Sequence, residues 1–165
     1  MKDFELIRDW RNTFGLPVRT VPSTPSAQEA KLAELLINEE FEEFKESILN
    51  LDNYSFNLDE VADSIGDLYF VVTQAACIFG LDPSELIQKV YDSNMSKLCP
   101  TIEAARDTIA AYAGKGIDSY MLLAPDGVNW IIKRSDNNKV LKALTFQDPK
   151  WDYDQQLQTR LKNTL

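Results

Sequence analysis

Two groups of carboxylates stand at helical spacing in this chain. The first is Glu39-Glu40-Phe41-Glu42-Glu43. The second is Glu60, Asp63 and Asp67, an i, i+3, i+7 series on one helical face that Val71, Gln74 and Ile78 continue. At about 100° per residue, Ala33, Ile37, Phe41, Phe44 and Ile48 form one apolar stripe. Glu42 and Glu46 point away from it, Glu40 and Glu43 flank it on the side of Leu36, and Glu39 lies at the boundary. Glu40 and Glu43 are thus expected to be drawn toward the core, where a lone carboxylate is costly. From Val61 to Phe79 the chain is apolar nearly all round, the pattern of a buried helix, and its only charges are Asp63 and Asp67. Acids near a helix N-terminus are favoured by the macrodipole, which accounts for Glu60 and in part for Asp63. It does not account for Asp67, more than two turns in. Buried carboxylates in a row repel one another unless they are protonated or bind metal.

Two antiparallel helices joined by a short loop can set Glu40 and Glu43 opposite Glu60, Asp63 and Asp67. Such an all-oxygen cage suits Mg²⁺, Mn²⁺ or Ca²⁺. Mg²⁺ held by a few carboxylates commonly takes phosphate oxygens as its other ligands. Two such ions can activate a water and stabilise a leaving phosphate oxygen. A third pattern is Tyr91, Asn94 and Lys97, which share one side of a helix at i, i+3, i+6. Lys97 suits phosphate as a point charge, and Asn94 can donate to a phosphate or sugar oxygen. A lysine near a helix end is also ordinary compensation of the dipole.

Composition narrows the chemistry. The chain has 165 residues, 44% of them apolar, enough for a folded domain with a sizeable core. Its net charge of −9 disfavours nucleic-acid backbone and anionic lipid as partners. There is no histidine, which removes imidazole as base or ligand and the Glu-x-x-His di-iron bundle with it. Cys77 and Cys99 are not spaced as metal ligands and read as reduced thiols. The N-terminus shows no signal-peptide core, and no apolar run is expected to be long enough to span a bilayer. These features point to a cytoplasmic setting.

The elements that must position these groups follow from periodicity and caps. Residues 2–14 read as an amphipathic helix on Phe4, Ile7, Trp10 and Phe14, ended by Gly15, with Pro17, Pro22 and Pro25 enforcing an extended segment. Ser26 with Glu29 forms a capping box for a helix over about 27–51. After a loop at 52–57, a second long helix runs over 58–79 and stops at Gly80. Asp82-Pro83-Ser84 caps the next, to about Leu98, and a shorter helix covers Thr101 to Ala113. Beyond it, Ser119–Leu123, Val128–Arg134 and Lys139–Leu144 read as short strands of a β-meander. Lys133, Arg134, Lys139 and Lys142 read as solvated strand-edge charges, with phosphate contact the other possibility. The fold class is mainly α. Residues 1–113 form a helical core and residues 114–165 a meander and tail of the same domain.

Taken together, Glu39-Glu40-x-x-Glu43, Glu60-x-x-Asp63 with Asp67, and Asn94-x-x-Lys97 resemble the all-α nucleoside triphosphate pyrophosphohydrolase superfamily. That superfamily includes MazG, the dimeric dUTPases and phosphoribosyl-ATP pyrophosphohydrolase. The short MazG-like branch of bacteria and phages is the most similar part, with Phe14-Gly15-Leu16-Pro17-Val18, Ser93-Asn94-Met95-Ser96-Lys97 and Lys139-Val140-Leu141-Lys142 resembling its flanking segments. The resemblance implies a helical bundle that hydrolyses an NTP or dNTP to the monophosphate and pyrophosphate with Mg²⁺, Mn²⁺ substituting. It implies Glu40, Glu43, Glu60, Asp63 and Asp67 as the metal set, with Glu39 a further ligand or the water-activating base. It implies Lys97 as a phosphate contact, Asn94 as a phosphate or sugar contact, and Tyr91 beside them. Ser64 stands where MazG carries a further Glu, so Asp63 or Glu60 would serve there. It also implies a homodimer or homotetramer, which apolar residues such as Trp10, Leu35, Phe70, Val72 and Phe79 would support. Nucleotide-pool work on a purine triphosphate, dGTP or GTP, is the specific expectation. Trp10, Phe14, the Pro17–Pro22 segment or the tail would read the base. The alternatives are the phosphoribosyl-ATP reaction itself, or a helical module that binds nucleotide or metal without turnover.

Overall fold

The computed structural model describes residues 3–49 and 57–163. Two compact units emerge: Met1–Leu86 with Asp152–Leu165, and Ile87–Trp151. The described elements are mainly helical. They are α1 (Asp3–Thr13), α2 (Ala27–Leu49), α3 (Leu58–Phe79), α4 (Pro83–Met95), α5 (Ile102–Ala113), β1 (Ser119–Leu123), β2 (Trp130–Arg134) and α6 (Tyr153–Lys162). Helix α4 begins in the first unit and continues in the second.

In the first unit, α2 starts where the capping box places it. Glu29 N donates to Ser26 Oγ at 3.2 Å and Ser26 N donates to the Glu29 carboxylate at 2.7 Å. Arg19 adds a two-pronged pair on Glu29 at 2.9 and 3.0 Å. These donors, Arg19 first and then the Ser26 backbone and hydroxyl, hold the Glu29 carboxyl down at about 2, from its usual 4.5. A depressed carboxyl contributes stability that is fully present above the unfolded-state value and fades as pH falls toward the folded one. Glu29→Gln is therefore expected to lower the urea midpoint at pH 7, with the gap to the parent narrowing between about pH 4.5 and 2. A gap that stays constant across that window would rule out the pairing.

Helix α3 starts at Asn57, whose side chain accepts from Asp59 N at 3.0 Å. It ends at Gly80, in the left-handed region. No basic residue lies in its last turn. The 19–23 segment satisfies that end instead: Arg19 N donates to Cys77 O at 3.2 Å, Ser23 N to Phe79 O at 2.9 Å and the Arg19 guanidinium to Ile78 O at 2.9 Å. Helix α1 packs on α3 through Trp10 and Phe70 and through a buried arginine. Arg11, 4% exposed, donates to Pro17 O at 3.0 Å and to Gln74 Oε1 at 3.1 Å. Burial lowers its pKa, although Cys77 and Glu29 pull the other way. Cys77 and Cys99 are free thiols and fully buried.

Two expectations about α3 need correction. By length and composition it is long and apolar enough to cross a membrane. Only 39% of its apolar stretch is buried, though, so α3 is not a wholly buried helix either. Its face toward the rest of the unit carries Ser64, Val71, Gln74 and Ile78, all buried. Its opposite face carries Ile65, Tyr69 and Val72, about half exposed. An apolar surface on both sides of a helix requires two coverings, and among the described residues the Ile65 and Val72 side is the less covered one.

In the second unit, α5 starts at Thr101, whose hydroxyl accepts from Ala104 N at 3.2 Å. Strands β1 and β2 pair antiparallel, with Ser119 opposite Arg134 and Leu123 opposite Trp130. Their inner face packs with α5 around Cys99, Ala105, Ile132 and Ala143. Helix α4 stops at Met95, short of the expected Leu98. Strand β2 begins at Trp130, not Val128, because the Asp126 carboxylate takes the Val128 and Asn129 N–H groups at 2.8 and 2.9 Å. The expected strand at 139–144 reduces to a bridge between Lys133 and Val140. Beyond it, Tyr112 OH donates to Lys142 O and Leu144 N donates to Thr108 Oγ1, so α5 rather than β2 satisfies that backbone. Arg134 pairs with Asp136 and Lys142 with Asp148, as surface charges do. Helix α6 was not expected from the sequence. Its apolar residues Tyr153, Leu157 and Leu161 are spaced by polar ones.

Candidate functional site

Helices α2 and α3 run antiparallel side by side. Ser47 and Ser64 mark their register, with hydroxyl oxygens 3.0 Å apart. Each hydroxyl also bonds a carbonyl of its own helix, Phe44 O and Val61 O. Moving one to two turns away from the 50–57 connection reaches Glu43 and Glu40 on α2 and Asp67 and Val71 on α3. Burial pushes the Glu40 carboxyl above its ordinary value. The nearby charges of Glu43, Asp67, Glu39 and Asp63, in that order, push it further. Five of the expected site residues are therefore brought into one electrostatic neighbourhood.

Burial differs from expectation. Only Glu40 is partly buried; Glu39, Glu43, Glu60, Asp63 and Asp67 are exposed in the single chain. Glu60 does something else as well, its carboxylate accepting from Asn57 Nδ2 at 3.0 Å in the cap of α3. Among the described residues no three acids converge tightly enough to form a finished cation cage.

The distribution of cations on α2 is informative. Lys31 pairs with Glu34 and Lys45 with Glu42, both on the outward side. Among the described residues no lysine or arginine forms an ion pair with Glu39, Glu40, Glu43, Asp63 or Asp67. The protein thus neutralises the acids that water already screens and leaves the partly desolvated group uncompensated. Carboxylates on two facing helices fit a hard divalent cation, which favours oxygen ligands and removes this repulsion.

Close to these acids is an aromatic surface. Phe70 lies one turn beyond Asp67 on α3 and meets the Trp10 ring edge-on at a centroid distance of 5.3 Å. Trp10 meets Phe14 at 4.7 Å, and Phe14 is 63% exposed. Arg11 fixes the α1 segment that carries this pair, a role that the sequence reading missed. Its i+4 spacing from buried Ile7 was the available signal.

In the second unit, Asn94 and Lys97 are brought together, the Lys97 ammonium donating to Asn94 Oδ1. Asn94 Nδ2 donates back to Val90 O at 3.0 Å, and Tyr91 is 56% exposed. Lys97 lies just past the end of α4, in the turn that follows.

Comparison with known proteins identifies the family. The family model for phosphoribosyl-ATP pyrophosphohydrolase matches residues 7–94, which include both acidic groups and Asn94. An uncharacterized protein of Acanthamoeba polyphaga mimivirus is 32% identical over 110 residues. The match covers 59% of this chain and 44% of that relative, so the chain spans less than half of the relative's length.

Proposed function

Because the chain belongs to the phosphoribosyl-ATP pyrophosphohydrolase family, and with it to a pyrophosphohydrolase type of function, we propose that it hydrolyses nucleoside triphosphates to monophosphate and pyrophosphate with Mg²⁺. The observation that carries this reading is the set of acids on facing helices, Glu39, Glu40, Glu43, Asp63 and Asp67, which form no ion pair among the described residues and include the partly desolvated Glu40. Glu40, Glu43, Asp63 and Asp67 would hold the cation, with Glu60 next to them on α3. When bound, Mg²⁺ supplies charge neutralisation for the polyphosphate and acidity for a water. Glu39, exposed at the rim of the acids, accepts the proton of the attacking water. Within the second unit, Lys97 would offer a positive charge to phosphate oxygens, and Asn94 and Tyr91 would offer hydrogen-bonding groups to phosphate or sugar.

The Trp10–Phe14 pair supports base stacking, which is sequence-tolerant and strongest for large rings. A purine triphosphate, dGTP or GTP, is the substrate we favour. The exposed apolar stripe of Ile65, Tyr69 and Val72 on α3, with Leu32 and Leu35 on α2, supports a second copy of this chain as its covering.

The test is a panel of the eight common NTPs and dNTPs, with phosphoribosyl-ATP added, incubated with Mg²⁺ and resolved by chromatography. Monophosphate with pyrophosphate from one or a few of the triphosphates is expected, and EDTA stops the reaction. Diphosphate with orthophosphate would overturn the assigned bond. Turnover of phosphoribosyl-ATP alone would overturn the substrate. Binding without turnover would make the protein a nucleotide-binding module.

A further inference from the structure

The hairpin of the second unit has one closed edge and one open edge. The register and the flanking bonds Ala124 N to Asn129 O and Ser135 N to Asp118 O direct the backbone groups of Tyr120 and Leu122 toward β2. The far edge of β2 is closed. Trp130 exchanges both bonds with Cys99, Leu141 N donates to Ile132 O, and Arg134 N donates to Lys139 O. The outward N–H and C=O groups of Ser119, Met121 and Leu123 on β1 have no hydrogen-bond partner among the described residues. Native edge strands are ordinarily guarded by lysine, proline or a bulge. Here the guarded strand is the wrong one: Lys133 and Arg134 sit on β2, whereas β1 reads Ser-Tyr-Met-Leu-Leu and carries no charge.

We propose that β1 pairs antiparallel with β1 of a second copy of this chain, centred on Met121, so that two hairpins join into one four-stranded sheet. The strand is self-complementary in this register. Met121 meets its own symmetry mate and Ser119 meets Leu123, so all three outward N–H groups and all three outward C=O groups of each strand are paired. On the face away from α5, Tyr120 and Leu122, each 36% exposed, come side by side with Leu122 and Tyr120 of the mate. The strand's own pattern selects the occupant. It is uncharged and self-complementary, so two copies of a chain of net charge −9 can meet there without bringing like charges together. A five-residue strand pair is small against the roughly 1,200 Å² at the low end of specific interfaces. The association is therefore weak, and a covalent trap reads it better than a sizing column.

The test is oxidative cross-linking of single-cysteine additions in the full chain. Cys77 and Cys99 are both fully buried and contribute little background. Residues directly opposite in a hydrogen-bonded pair have Cα atoms about 5.5 Å apart, within disulfide reach. Met121→Cys is expected to give a covalent dimer. Leu122→Cys, although more exposed, faces residue 120 of the mate. Its own counterpart is diagonal at about 7–8 Å, so it is expected to link several-fold less. Met121 also packs against the unit's core, so a second pair guards against misfolding. Ser119→Cys and Leu123→Cys chains should link when mixed and much less when each is alone. Adding Leu123→Pro, which removes one outward donor at a position where an edge strand tolerates it, should cut the Met121→Cys dimer several-fold. Equal linking by Met121→Cys and Leu122→Cys, or no dimer from either Met121→Cys or the mixture, would overturn the pairing.

Discussion

Glu43→Gln and Asp63→Asn should each lower kcat/KM for pyrophosphate release by about a thousandfold or more, which is about 4 kcal/mol of transition-state stabilisation. Each removes one charged oxygen from the proposed cation site and leaves the shape of the side chain. Neither residue is buried or takes part in an ion pair among the described residues, so the fold has little to lose. In EDTA the thermal midpoint should stay the same or rise, because a charge that repels Glu40 is gone. Glu42→Gln is the internal control. Glu42 lies in the same acidic run but is exposed and paired with Lys45, so its loss should leave activity within about twofold, as exposed pairs contribute little. Full activity in both Glu43→Gln and Asp63→Asn would end the case for these carboxylates. A parallel loss in Glu42→Gln would mean that net charge, not placement, is what matters.

The start of α2, where Ser26 and Glu29 cap each other, is legible in the sequence alone. The same holds for the part of the α3 face with Val71, Gln74 and Ile78, which is buried as its spacing from Asp63 and Asp67 suggests. The near half of that face carries the acids. Burial of the acids was not legible. A helix that is apolar all round announces that both sides will be covered, but not by what. Among the described residues the Ser64 and Val71 side is covered, whereas Ile65 and Val72 stay about half exposed. Arg11 was faintly legible at most, through its i+4 spacing from Ile7, for the opposite reason. A charged residue in an amphipathic helix reads as surface, and only the tertiary position of Gln74 and Pro17 O makes its burial tolerable. The lost strand at 139–144 illustrates competition for backbone groups. Its alternation suits a strand, yet Tyr112 and Thr108 on α5 capture Lys142 O and Leu144 N first. The helical trace of α6 is faint because so few of its residues are apolar.

Gly80→Ala should destabilise the 165-residue protein by about 4 kcal/mol, a drop of roughly 8–16 °C in thermal midpoint. Two costs add at this residue. Its φ of +68° is one that a side chain disfavours by about 1–2 kcal/mol. A Cβ there would also stand 1.9 Å from Val21 O and 2.6 Å from Val21 C, both backbone atoms that cannot rotate aside. The 19–23 segment would have to lift, and with it the bonds from Arg19 and Ser23 that satisfy the carbonyls of Cys77, Ile78 and Phe79. The same segment carries the Arg19 pair on Glu29, so the start of α2 should loosen along with the end of α3. Gly15→Ala separates the two costs. Gly15 has a similar φ of +66° in the same unit, but nothing lies within 4 Å of its would-be Cβ. That variant should lose only the conformational part, about 1–2 kcal/mol. Chemical denaturation of the two variants side by side makes the comparison. Equal losses would mean that the close approach of Val21 to Gly80 contributes nothing, and that the end of α3 is held by some means other than the segment crossing it.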